Sequence, residues 1–123
     1  MLRVGNIQRS LDFYTYIMGM EVLRTLDQPE EKYSLTFLGY GNENDTAVLE
    51  LTYNYDVAKY EMGTAYGHVA IAVDDIQQVY EDIKLKGGKF SLKPVQLKGS
   101  NEIIAFVIDP DGYVIELIER PSS

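Results

Sequence analysis

Glu50, His68 and Glu116 are the residues whose types and setting point to chemistry. Each glutamate sits in a short apolar string, Val48-Leu49-Glu50-Leu51 and Val114-Ile115-Glu116-Leu117. His68, the one histidine, opens the string His68-Val69-Ala70-Ile71-Ala72. A carboxylate buried among apolar side chains is costly unless a cation or metal compensates it. Two carboxylates and an imidazole suit zinc, nickel, cobalt or iron. The competing reading puts both glutamates on a solvated sheet face. The chain has no cysteine, which removes disulfides, thiolate ligands and a cysteine nucleophile.

The elements that must position these residues come in two copies. Leu2-Arg3-Val4-Gly5-Asn6-Ile7 resembles Ile71-Ala72-Val73-Asp74-Asp75-Ile76, an offset of 69 residues. Glu50 and Glu116, within their matching strings, are 66 apart, so an indel of three separates the two matches. Each half reads as strand, helix and three strands. Asn6 caps a helix with apolar residues at Ile7, Leu11, Tyr14, Ile17 and Met18, which Gly19 ends. Strands follow near Glu21–Leu26, Tyr33–Gly39 and Ala47–Tyr53. In the second half His68–Val73 is a strand and Asp74 or Asp75 a cap. The helix stripe is Ile76, Val79, Tyr80 and Ile83, stopped by Gly87-Gly88. Strands follow near Lys89–Leu92, Glu102–Ile108 and Tyr113–Ile118, the last two joined by the turn Asp109-Pro110-Asp111-Gly112. The fold class is α+β, and residues 1–123 form one domain of two βαβββ modules, about 1–60 and about 65–120.

Alternation along strands sets the faces. Glu50 shares a face with Val48, Thr52 and Asn54. Glu116 lies between Val114 and Ile118 on the face opposite Ile115 and Leu117. His68 shares its face with Ala70 and Ala72, whose small side chains leave room for a ligand. Moving His68 back by the offset places its counterpart two residues upstream of Met1. Arg3 is the counterpart of Ala72 and faces the same cavity, where a guanidinium suits a carboxylate; the competing reading is a surface arginine.

The formal net charge is −8, with basic residues scattered, which disfavours nucleic acid. No apolar run approaches the roughly 18 residues of a membrane span, and the N-terminus has no secretory pattern. A cytoplasmic protein is expected.

These residues resemble glyoxalase I of the vicinal oxygen chelate superfamily. The likeness runs through Met1-Leu2-Arg3-Val4-Gly5, Ser10-Leu11-Asp12-Phe13-Tyr14 and Gly19-Met20-Glu21-Val22-Leu23-Arg24-Thr25. It continues through Phe37–Gly41, Leu49-Glu50-Leu51-Thr52-Tyr53-Asn54-Tyr55, Ala65–Ile71, Asp109–Tyr113 and Ile115-Glu116-Leu117. The resemblance implies a domain-swapped homodimer with two sites, each taking Glu50 from one chain and His68 and Glu116 from the other. It implies one divalent ion per site (nickel or zinc, with cobalt a further candidate) and glutathione as co-substrate, held by Arg3, Asn54 and Lys98. The implied reaction is that of a lactoylglutathione lyase, detoxifying methylglyoxal. Its hemithioacetal with glutathione becomes S-D-lactoylglutathione, with Glu116 as base and Glu50 as the symmetric candidate. The family's fourth ligand is a histidine at the position the repeat marks upstream of Met1. Either the chain starts at an internal methionine or the protein lacks that ligand. The alternatives are another metal-dependent member, such as a dioxygenase or thiol transferase, and a non-catalytic dimer that binds a small ligand.

Overall fold

The computed structural model describes residues 1–120. The chain divides into two compact units, Met1–Glu61 and Met62–Ser123.

The first unit runs β1 (Leu2–Val4), α1 (Ile7–Asp12), a π-helical turn (Phe13–Ile17), β2 (Glu21–Gln28), β3 (Tyr33–Gly39) and β4 (Leu49–Asn54). Its sheet has the order β1-β4-β3-β2, with β1 parallel to β4 and the other pairs antiparallel. Asn6 starts α1 from extended backbone, its side chain accepting from the Arg9 amide at 3.0 Å. One regular helix as far as Met18 is expected from the sequence, and the structure differs. After Asp12 the ladder widens, and the Met18 amide donates to the Phe13 carbonyl five residues back, at 2.9 Å. The Thr15 hydroxyl takes the Leu11 carbonyl at 2.6 Å and competes for that helical acceptor. Phe13, Tyr14 and Met18 are buried, while Ile7, Leu11 and Ile17 are only half-buried. Gly19, at φ +77°, supplies the left-handed residue that ends the segment.

The second unit runs β5 (Val69–Ala72), α2 (Ile76–Leu85), β6 (Lys89–Gln96), β7 (Ile103–Ile108) and β8 (Val114–Glu119). Its sheet order, β5-β8-β7-β6, repeats the first, again with a parallel β5–β8 pair. Asp75 is the cap of α2, accepting from the Gln78 amide at 3.1 Å, and Glu119 accepts from the Ile76 amide at 2.7 Å. β6 is longer than the predicted Lys89–Leu92. It carries Pro94 across a register irregularity, which an edge strand tolerates because that proline owes no ladder bond. In the turn before β8, Asp109 Oδ1 accepts from the Asp111 and Tyr113 amides, both at 2.9 Å. That satisfies a buried carboxylate inside a tight turn.

In each unit one sheet face is the core. Leu2, Val4, Leu38 and Leu51 are buried in the first, and Ala105, Val107, Ile115 and Leu117 in the second, with Ile76 and Ile83 from α2. Burying a side chain of this size contributes about 1.5–3 kcal/mol. Glu50 and Glu116 alternate with these residues along β4 and β8, so burial of the core face turns both glutamates to the opposite one.

The ladders locate the indel. Phe37 pairs with Glu50, and Phe106 with Glu116. The phenylalanines are 69 residues apart and the glutamates 66. The three extra residues therefore lie in the β3–β4 connection, which is longer than the β7–β8 turn.

Candidate metal and substrate site

In the second unit, Ala70, Glu116 and Phe106 stand in one row across β5, β8 and β7. His68 lies just before β5 rather than inside it, a correction of one residue to the predicted strand. Two residues earlier, the Tyr66 hydroxyl donates to the Val114 carbonyl at 2.9 Å, and its ring meets Tyr113 edge-on. Burial pushes the Tyr66 phenol above its ordinary value, which keeps it a donor. This anchor fixes the approach of His68 to β8. His68 Nε2 stands 3.6 Å from Glu116 Oε1, and its ring centroid is 5.6 Å from that of Phe106.

The 3.6 Å separation decides what the pair can do. It is too long for a hydrogen bond. Two donors each about 2.1 Å from one ion and about 120° apart stand about 3.6 Å from each other. The Glu116 side chain is only 15% exposed and His68 is 41% exposed, so one donor is sheltered and the other lies open to an arriving ion. An imidazole and a carboxylate so placed fit two positions around a divalent ion. Ala70 and Ala72 leave space beside them.

In the first unit, Thr52 Oγ1 donates to Glu50 Oε2 at 3.2 Å and ties down that carboxylate. Phe37, beside Glu50, is covered by Arg24, whose guanidinium carbon is 3.6 Å from the ring centroid. Arg24 also grips Glu43 through two nitrogens, at 2.9 and 3.0 Å. The hydrogen bond to Glu43 is the main reason the Arg24 pKa is raised, with the Glu50 charge a smaller cause. Arg3 pairs with Thr52 across the parallel ladder, so Arg3, Glu50, Thr52 and Asn54 share one face. The Asn54 amide donates to the Tyr60 hydroxyl at 2.9 Å.

The structure thus brings His68 together with Glu116 in one unit, and Arg3, Glu50 and Asn54 onto one sheet face in the other. Among the described residues of the chain, no three His, Asp or Glu side chains gather as a metal-holding group. Lys98 is exposed in the turn after β6, beside a shallow recess lined by Gln96, Gly99, Ser100 and Asn101. Sequence reasoning passed over Phe37 and Phe106, although the repeat that found the glutamates also relates these rings. It gave no role to Thr52, Tyr60 or Arg24, whose partners become visible only in three dimensions.

Comparison with known proteins now adds ancestry to geometry. Residues 1–117 match the family model described as the Glyoxalase/Bleomycin resistance protein/Dioxygenase superfamily. The chain belongs to that superfamily. It is 57% identical over 120 residues to the lactoylglutathione lyase of Escherichia coli O157:H7, covering 98% of this chain and 89% of that one. The fold matches glyoxalase I from Zea mays with a TM-score of 0.93 and 50% identity. That match covers 99% of this chain, which spans only 44% of the maize chain. A trypanothione-dependent glyoxalase I from Leishmania major matches with a TM-score of 0.85 and 47% identity, over 97% of this chain and 83% of that one. The family agrees with the fold class read from the sequence. No helix is long and apolar enough to cross a membrane, among the described residues.

Proposed function

We propose that this chain is a lactoylglutathione lyase, a glyoxalase I. It isomerises the hemithioacetal of methylglyoxal and glutathione to S-D-lactoylglutathione. The observation that carries this reading is the His68–Glu116 pair, 3.6 Å apart on a sheet face with Ala70 and Phe106. It stands in a chain 57% identical to a lactoylglutathione lyase.

The reaction moves a proton between adjacent carbons through an enediolate. Glu116 takes the proton from one carbon and returns it to the next, a task in which a positioned base contributes roughly 10²–10⁴-fold. Its sheltered position beside Phe106 keeps bulk water from the carbon during the transfer. A divalent ion, nickel or zinc, supplies Lewis-acid stabilisation of the developing oxyanion when bound. His68 and Glu116 of one chain and Glu50 of a second copy would hold it, in a homodimer with two sites. Thr52 keeps the Glu50 carboxylate oriented for that role. Arg3, Asn54 and Lys98 hold the thiol part of the substrate. A cysteine-free chain is compatible with a reducing, cytoplasmic setting, which supports that location for the activity.

The test is turnover of methylglyoxal plus glutathione by the protein, with nickel or zinc added. Thioester formation dependent on both protein and metal is expected. Hemithioacetal binding without turnover, with either metal, would overturn the lyase and leave a ligand-binding dimer. Turnover with trypanothione in place of glutathione would change the thiol and keep the chemistry.

A further inference from the structure

We propose that Glu43 is a positioning residue for the metal site. By holding the Arg24 guanidinium at the β3–β4 connection, it keeps that cation off the Glu50 carboxylate and leaves the carboxylate for the ion. The proposal rests on the reading of Glu50 as a metal ligand and adds Glu43 and Arg24 to it.

The register brings a cation near Glu50. Arg24 pairs with Phe37 across β2 and β3, and Phe37 with Glu50 across β3 and β4, so the three form one row on one face. The guanidinium carbon lies 3.6 Å from the Phe37 ring centroid. Arg24 and Glu50 are two strand spacings apart, about 10 Å between backbones. Two long side chains on one face can close that gap, and an arginine fork matches a carboxylate with two parallel N–H bonds. Such a pair would occupy the oxygens an ion needs and add positive charge where a dication must bind.

Glu43 already fills the fork. Arg24 Nε donates to Glu43 Oε2 at 2.9 Å, and Nη2 to Oε1 at 3.0 Å. Each partner favours the charged form of the other: their hydrogen bond lowers the Glu43 pKa and raises that of Arg24. The loop that carries Glu43 is built to hold it. The Asp45 and Thr46 amides both donate to the Asn42 carbonyl at 2.9 Å, and the Thr46 hydroxyl joins them at 3.0 Å. The Asn44 amide donates to Asn42 Oδ1, also at 3.0 Å. These bonds onto Asn42 close a turn around Glu43. Gly41 lets the turn close tightly, since a Cβ there would stand 3.1 Å from Thr46 Cγ2.

The device is built once per chain. In the second unit the residue paired with Phe106 is Leu92, so the row Leu92, Phe106, Glu116 and Ala70 holds no cation to restrain.

The experiment is nickel affinity by chelator competition. It compares the unmutated protein, Glu43→Gln, Arg24→Met and the double variant, with Glu50→Ala as control. The Arg24 and Glu43 side chains are 51% and 35% exposed, and methionine keeps an unbranched stem over Phe37, so Tm holds in all three test variants. Glu43→Gln alone lowers nickel affinity about threefold to fivefold, the upper range of one exposed ion pair formed in competition with the metal. In the Arg24→Met background the same change moves affinity by less than about twofold, because no guanidinium is left to swing across. Arg24→Met alone binds nickel no more weakly than the unmutated protein. Equal falls on Glu43→Gln in both backgrounds overturn the proposal, by making Glu43 part of a long-range field. Equal falls in the two single variants overturn it too, by reducing the pair to a loop staple. So does unchanged affinity in Glu43→Gln. Nickel affinity that survives Glu50→Ala instead defeats the reading of Glu50 as a ligand, and the proposal with it.

Discussion

Replacing Glu116 with glutamine separates the proton carrier from the scaffold. The two side chains have the same shape, so Phe106 and Ala70 keep their contacts and only the charge and basicity are lost. The cost to folding is small for a structural reason. Among the described residues, the ion-pair partner of the carboxylate is His68 at 3.6 Å, with the imidazole 41% exposed. A pair that long and that open contributes at most about 1 kcal/mol, so Tm moves by no more than a few degrees. The cost to turnover is large. Loss of a positioned base removes roughly 10²–10⁴-fold, or about 2.7–5.4 kcal/mol of barrier. The amide oxygen still points where the carboxylate oxygen did, so the variant keeps much of its metal. The assay is thioester formation under saturating hemithioacetal, run beside metal content by elemental analysis and a thermal melt. A drop of at least about 100-fold in kcat, with metal and Tm retained, is expected. Turnover within about threefold of normal at full metal content would refute Glu116 as the base. A loss that returns in proportion to added metal would refute it as well, by making Glu116 a ligand and nothing more.

Thr52→Val keeps the shape of β4 but removes the hydroxyl that donates to Glu50 Oε2 at 3.2 Å; metal affinity falls about tenfold in a chelator competition titration, with the fold unchanged by circular dichroism. Gly5→Ala drives a methyl to within 2.0 Å of the Ala58 carbonyl oxygen, and the forced shift costs about 1–3 kcal/mol, read as a lower urea midpoint at constant slope. Tyr40→Phe removes the hydroxyl that donates to the Met18 carbonyl at 2.6 Å, a loss of about 1 kcal/mol at neutral pH. Although Tyr40 is 55% exposed, its hydroxyl is turned in to Met18, and desolvation there pushes the phenol from 10.0 up to about 12, favouring the neutral form in the folded protein. The stabilisation is complete below pH 10 and is lost as pH rises towards about 12, so the gap between the native protein and Tyr40→Phe closes over that window in denaturation curves.

The βαβββ plan was readable because the duplication repeats short apolar strings and because period-two alternation is strong in β4 and β8. The same logic set both glutamates opposite the core face, as the structure has them. The π-helical turn at Phe13–Ile17 was not readable. The stripe Ile7, Leu11, Tyr14, Ile17 and Met18 follows a regular helix, but which carbonyl Met18 bonds depends on how Phe13 and Tyr14 seat in the core and on Thr15 occupying the Leu11 carbonyl. The length of β6 was hidden by Pro94, which argues against a strand wherever the neighbouring strand on that side is unknown. At the candidate site, residue types and faces were legible and distances were not. His68 and Glu116 are 48 residues apart, and only the folded β5–β8 pair brings them to 3.6 Å. Tyr60 lies on a loop with no periodicity, so nothing in the chain announced its bond to Asn54.

The duplication explains why two equivalent glutamates need not do equivalent work. Glu50 and Glu116 occupy matching places in matching sheets, each beside a phenylalanine. Their neighbours have diverged. Beside Glu50 the next residue on the face is Thr52, which donates a hydrogen bond; beside Glu116 the matching residue is Ile118, which has none to give. Next to Phe37 stands Arg24, whose charge reaches Glu50; next to Phe106 stands Leu92. Arg3 has become Ala72 in the second half. The first module has thus gathered a donor and a cation beside its own glutamate. The second surrounds its glutamate with Ala70, Phe106 and Ile118, and its cation on that face, Arg120, is turned to Glu102. A carboxylate that must lose and regain its place against a proton is better served where no hydroxyl competes for its oxygens. This division supports the proposed roles, Glu50 as the fixed anion and Glu116 as the group that moves the proton.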